Sequence, residues 1–301
     1  MENLDPKTVE GFGVEWSRFN QSGVSEPELR RMWDNYFHIF PWDRLASGAI
    51  GFDAGCGSGR WARYVSERVG TLHCVDASDA ALAVARSNLA DRPNCHFHHA
   101  SLAEMPFADG SMDFGYSLGV LHHVPDTSAA LRACVRKLKP AAPLLVYLYY
   151  SFDNRPPWYS WLWRASNLMR RGISTFPRPA KVVAADLLAG SVYWPLARIA
   201  ALAERCGVSP QPMPLAFYRK ASFYTMRTDA LDRFGTRLEQ RFSADQIRSM
   251  LHEAGLENIR FSDRPPYWCA VGVRRTPAAE ATAGGRSAST AASSGAATST
   301  E

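Results

Sequence analysis

Gly55, Gly57 and Gly59 alternate with other residues and share with Asp53 a stretch, residues 52–60, that follows a short apolar run and opens a helix. Glycine tolerates positive φ and leaves no side chain to obstruct a ligand lying against the main chain. The helix that begins there offers unpaired N–H groups. Downstream, Asp76 closes a second apolar run, residues 72–75, at about the separation at which a strand-end acid meets ribose hydroxyls in a nucleotide-type fold. Alone, the turn would be a tight strand-to-helix connection; with the acid it reads as a cofactor cradle. Asp53 narrows the choice of cofactor, because a carboxylate inside the turn repels a pyrophosphate but can help hold an ammonium group, directly or through water. It could also cap the turn.

The order acid-x-Gly-x-Gly-x-Gly, carried here by Asp53, Gly55, Gly57 and Gly59, resembles the first motif of the class I S-adenosylmethionine-dependent methyltransferases. Residues 105–114 and 118–126 resemble the third and fourth landmarks of the small-molecule, methyltransferase type 11-like branch. The resemblance covers roughly residues 45–150 and, more loosely, 243–274. It implies S-adenosylmethionine as cofactor, held by Asp53, Gly55, Cys56, Gly57 and Gly59 of the turn and by Asp76 and Ala77 after the second strand. Ser101 and Leu102 would lie beside the adenine, and Ser117 and Leu118 would line the floor. Family members usually carry an acid and a small residue beside the adenine; here a hydroxyl replaces the carboxylate. A nicotinamide-dependent dehydrogenase is the rival reading, since Gly57, Gly59 and Ala62 also fit G-x-G-x-x-G/A. It ranks below, because that fingerprint seats a pyrophosphate at the helix N-terminus and S-adenosylmethionine has no phosphate.

His122, His123, Tyr149 and Glu239 are the candidates for chemistry on the acceptor. A histidine with a near-neutral pKa could remove the proton of an acceptor hydroxyl or amine, although one of the pair could equally order the loop before Asp126. Tyr149 and Tyr150 end the fifth strand, at the edge where open α/β sheets bind ligands. Trp16 and Phe19 are lid candidates, as N-terminal additions in the resembled family commonly lie across the cofactor mouth. Tyr150, Tyr224 and Arg227 complete the expected acceptor contacts, their phenol and guanidinium groups suiting a polar molecule. His96, His98 and His99 crowd the third strand without a cysteine or carboxylate at ligand spacing, so no metal is expected.

These residues need an α/β frame. Leu29, Met32, Trp33, Tyr36, Phe37 and Phe40 mark one face of an N-terminal helix that Pro41 stops. Strands alternate with helices from residue 49 to residue 150: Ser78 and Asp126 stand at helix starts, and Pro140 follows a basic helix end. Ser243 and Gln246 form a capping box that reopens the pattern before two terminal strands. The expected fold is a Rossmann-like, seven-stranded, mostly parallel sheet with helices on both faces, as the resemblance implies. A helical cap, 1–45, precedes the core, 46–150. A helical insertion rich in Trp, Tyr and Arg, 151–240, follows the fifth strand; 241–275 completes the core, and 276–301 is expected to be disordered.

A hydrophobic content of 46% suffices for a substantial core, and a net charge of +5 permits nucleic acid without demanding it. Six scattered cysteines without a C-x-x-C pair suit a reduced, cytoplasmic protein. The first residues lack the regions of a signal peptide. Residues 182–203 are apolar but broken by Asp186, Pro195 and Arg198, which argues against a membrane span. The insertion could wall a pocket for a bulky acceptor or touch anionic lipid. The expected activity is methyl transfer by direct displacement to a small or lipid-linked molecule, most readily at oxygen. RNA-directed methylation and cofactor binding without catalysis are the alternatives.

Overall fold

The computed structural model describes residues 3–276; the tail expected at 276–301 lies outside them from residue 277 onward. Seven strands form one sheet: β1 (Ile50–Ala54), β2 (Thr71–Asp76), β3 (Cys95–His99), β4 (Phe114–Leu118), β5 (Pro143–Tyr147), β6 (Leu256–Phe261) and β7 (Cys269–Arg274). Their spatial order is β3-β2-β1-β4-β5-β7-β6. All run parallel except β7, which lies antiparallel between β5 and β6. The order reverses beside β1, and in open α/β sheets the ligand crevice lies at such a switch point, outside the strand C-termini.

Alternation within the strands sends side chains to two separate cores. Phe52, Ala54, Leu144 and Val146 face α5 (Thr127–Lys137) and α10 (Ala244–Glu253). Phe114, Tyr116 and Leu145 face α4 (Asp79–Asn88) and the aromatic stripe of α2 (Glu26–Phe37), where Trp33 stacks on Phe37. The expected caps form: Ser78 accepts from Ala81 N, Asp126 accepts from Ala129 N, and Ser243 and Gln246 complete the capping box.

Three elements depart from expectation. The helix after the glycine turn is short, α3 (Ala62–Val65) continued by a 3-10 turn, Ser66–Arg68, because the chain must return at once to β2. Residues 11–18 belong to a helix, α1 (Pro6–Arg18), capped by Asp5 and followed by Phe19 as its C-cap. Its Gly13 lies so near α4 that a Cβ there would stand 2.7 Å from Ser78 Oγ. The apolar run interrupted in sequence by Asp186, Pro195 and Arg198 lies within one continuous helix, Arg178–Arg205. A π turn, Ala189–Tyr193, joins α7 (Arg178–Leu188) to α8 (Trp194–Arg205), which places Pro195 in the first turn of α8.

The insertion comprises α6 (Pro157–Ile173), α7, α8 and α9 (Phe223–Gly235), packed around a third core with Phe19, Tyr193, Met226 and Phe234. One buried carboxylate ties it to the cap: Glu28 accepts from Ser222 N at 2.8 Å and from Thr225 Oγ1 at 2.7 Å. Replacing Glu28 by Ala strands two donors, and an unsatisfied buried donor costs about 1–3 kcal/mol. Urea denaturation of Glu28→Ala should therefore show a loss of about 2–4 kcal/mol, with Glu28→Gln, which keeps an acceptor, losing less.

Candidate active site

A cavity of about 1230 Å3 opens beyond the C-terminal ends of β1, β2, β4 and β5, roofed by α1 and by the insertion. Its inner wall is the glycine turn. Gly55 N and Cys56 N both donate to Val75 O, at 2.8 and 3.0 Å, and Gly55, Gly57 and Gly59 all take positive φ. A Cβ at Gly55 would come within 2.5 Å of Val120, and one at Gly57 within 2.8 Å of the Trp16 indole nitrogen. Gly59 faces Leu89 of the core instead and is not on the cavity wall.

Asp76 stands at the end of β2 on the cavity wall, where its two oxygens accept from Gly57 N and Ser78 N, both at 2.9 Å. Burial raises its pKa, and these N–H groups oppose the rise. Asp53, expected to meet an ammonium group, is 1% exposed beneath the turn and lies off the wall. Burial pushes its carboxyl up to about 8, against the Tyr116 hydroxyl beside it. Ala77, Leu102 and Leu118 join Cys56 and Gly57 on the wall. Ser101 and Ser117 do not: their hydroxyls donate to Glu104 and to Ala54 O. The hydroxyl expected beside the adenine is thus engaged elsewhere.

The outer wall holds eight tyrosines, Tyr36, Tyr147, Tyr149, Tyr150, Tyr193 and Tyr218 among them. Trp16 lies over the glycine turn as a lid, with the Arg60 guanidinium 5.3 Å from its ring and 4.4 Å from that of Trp61. Glu15, Asp229 and Asp232 also line the cavity. Burial pushes Glu15 well up, with the charges of Asp232 and Asp229 adding to it; burial raises Asp229 to about 6 while Arg60 opposes. Residue spacing gave no reason to place Glu15 there. What would have flagged Arg60 is its position directly after the motif.

The two histidines separate. His123 lines the cavity, with Nδ1 2.7 Å from Leu238 O and Nε2 3.7 Å from Asp232 Oδ1. The other Asp232 oxygen accepts from the Tyr149 hydroxyl. His122 is fully buried behind them, stacked on the Tyr149 ring at 3.8 Å, and burial with His123 beside it holds its pKa well below the usual histidine value. Four other candidates lie off the wall. Glu239 is buried between Arg233 and Arg241: burial pushes its pKa up, but the two guanidinium groups hold it below the ordinary value. Arg227 is bidentate to Asp186, Tyr224 accepts from Gln21 N, and Phe19 packs in the third core.

A family profile described as a methyltransferase domain matches residues 52–146, the stretch that carries the turn, Asp76 and β4. The core is a class I S-adenosylmethionine-dependent methyltransferase domain. A Mycolicibacterium smegmatis protein named for S-adenosylmethionine-dependent methyl transfer is 30% identical over 119 residues, 38% of this chain and 45% of that relative. Ubiquinone biosynthesis O-methyltransferase of Pseudomonas fluorescens is 34% identical over 35% of this chain and 44% of its own. Demethylmenaquinone methyltransferase of Listeria welshimeri is 32% identical over 38% and 50%. The chain thus spans about half, or less, of each relative's length.

In this methyltransferase domain the buried acid beneath the turn sets a pH dependence. With a folded pKa of about 8 against an ordinary value near 4, Asp53 adds no penalty below about pH 4. Between about pH 4 and pH 8 the folded state holds a proton that the unfolded state has released, so stability falls as pH rises. Asp53→Asn should remove that slope. Melting temperatures across this range should show wild type dropping relative to the variant, and parallel curves would mean that Asp53 is charged in the fold.

Proposed function

We propose that the protein transfers the methyl group of S-adenosylmethionine to a hydroxyl oxygen of an apolar, lipid-linked small molecule. The observation that carries this reading is the continuity of one cavity, from the glycine turn and Asp76 at one end to His123, Asp232 and the tyrosines at the other. Gly55 and Gly57 carry no side chain and stand on the cavity wall, which fits a ligand laid along the turn beside Val120 and Trp16. Asp76 keeps further lone pairs on both oxygens for the ribose hydroxyls, and Leu102 offers an apolar face at the adenine end. When bound, the cofactor supplies an electrophilic methyl carbon on a sulfonium.

The chain's own residues do the rest by placement and proton handling. With its Nδ1 proton assigned by the Leu238 carbonyl, His123 keeps a lone pair on Nε2 to accept the acceptor's hydroxyl proton. Asp232, held by the Tyr149 hydroxyl, then faces the imidazolium. Burial, with Asp232 next to it, raises the Tyr149 pKa well above the usual phenol value, so Tyr149 acts as a donor and not as a base. The largest gain comes from alignment in a chamber shielded from water. Acceptor oxygen is supported by the O-methyltransferase name of the Pseudomonas relative, and an apolar acceptor by the tyrosine wall.

Calorimetric titration with S-adenosylhomocysteine, alongside NAD and NADP, tests the cofactor: saturable binding of the first alone is expected, and binding of a nicotinamide nucleotide instead would overturn the reading. Asp76→Ala should weaken that binding by about a hundredfold, the loss of two hydrogen bonds to a charged group. His123→Ala should lower kcat on hydroxylated quinones and phenols by at least about a hundredfold with S-adenosylhomocysteine affinity unchanged. An unchanged kcat would remove the base.

A further inference from the structure

We propose that the helical insertion docks the protein onto membranes bearing anionic lipid, its apolar helix faces lying in the interface. Among the described residues, sixteen large hydrophobic side chains are exposed, and all but Ile50 fall between residues 158 and 223. On α6, Trp158, Trp161, Leu162, Leu168 and Met169 recur at helical spacing, away from the buried Tyr159, Arg170 and Ile173. On the long helix, Val183, Leu187, Trp194, Ile199 and Leu202 are exposed, and only 22% of its most apolar window is buried. Scattered exposed hydrophobics need no explanation, but concentration on one subdomain marks an interaction face.

Charge selects the partner. Residues 151–240 carry thirteen Arg and Lys against six Asp and Glu, whereas the whole chain is +5, so the rest of the molecule is net negative. Arg164, Arg171, Arg198 and Arg205 are exposed on the same helices as the apolar residues. The acids of the long helix, Asp186 and Glu204, are already paired, to Arg227 and Arg18 and to Arg219 and Lys220. A basic, apolar helix surface suits anionic headgroups above acyl chains.

The long helix lies on the bilayer and does not cross it. Its opposite face, Ala185, Ala189, Tyr193 and Ala197, is part of the third core. Spanning would also put Asp186 and Arg198 into hydrocarbon at high cost. The geometry links this face to the cavity, because Leu162, Val192 and Phe217 are exposed and also line it. An acceptor dissolved in the bilayer can therefore enter without crossing water. That last step rests on the proposed function; the docking itself does not.

The test is co-sedimentation of the full chain, at low salt, with vesicles of phosphatidylcholine alone or with about a third phosphatidylglycerol. Binding to the anionic vesicles, at least about tenfold stronger than to the neutral ones, is expected. Trp161→Ser with Leu168→Ser should lower it about tenfold or more, and Arg164→Gln with Arg171→Gln by about fivefold per residue, on anionic vesicles only. None of these four residues lines the cavity, so S-adenosylhomocysteine affinity should stay unchanged and report an intact fold. No sedimentation with any vesicle, or sedimentation indifferent to both double variants, overturns the proposal. So does a dimer in light scattering that Trp161→Ser with Leu168→Ser dissolves, which would assign the face to a second copy. Vesicle binding without S-adenosylhomocysteine binding would sink the proposed function and leave the docking standing.

Discussion

The cavity depends on how closely the backbone at residues 55–57 is approached from two sides. Val120, after β4, leaves no room for a Cβ at Gly55, and Trp16 leaves none at Gly57. Below, Val75 O takes two N–H groups from the turn and Asp76 takes a third. The parallel register that pairs Ala54 with Val75 fixes where these acceptors stand. Strand pairing, turn and Trp16 are thus one interlocked unit, and the cavity wall at Gly55 and Gly57 is main chain because no Cβ fits there.

Around that unit the cavity gathers charge that a protein interior ordinarily avoids. Glu15, Asp229 and Asp232 face inward with Arg60 as the neighbouring cation, and burial raises the first two. Burial thus favours the protonated form of Glu15 and Asp229 relative to a carboxyl in water. The tyrosines on the wall suit both a flat apolar acceptor and a passing cation, since aromatic faces attract positive charge.

What was legible in the sequence was local. The glycine turn, Asp76 and the Ser243–Gln246 capping box are each specified by neighbours a few residues away or by one strand pairing, and each formed as read. What failed to show depended on distant partners. Arg227 looked free to bind an acceptor until Asp186, 41 positions earlier, engaged it, and Tyr224 meets Gln21 across 203. α1 was obscured because Gly11 and Gly13 lower helix propensity, while Gly13 is there for contact with α4. His122 and His123 are adjacent, and only the fold decides which one faces the cavity.

The Glu28 carboxylate has a consequence for how the chain is made. It is buried in the cap, yet both of its donors, Ser222 N and Thr225 Oγ1, come almost two hundred residues later. Synthesis runs from the N-terminus, so α2 can pack its aromatic stripe on β4 and β5 while its Glu28 carboxylate waits for donors until α9 has emerged. Glu28 is therefore made early and finds its partners late. A nascent chain with its first five strands paired would still lack the part of the cavity roof that the insertion supplies.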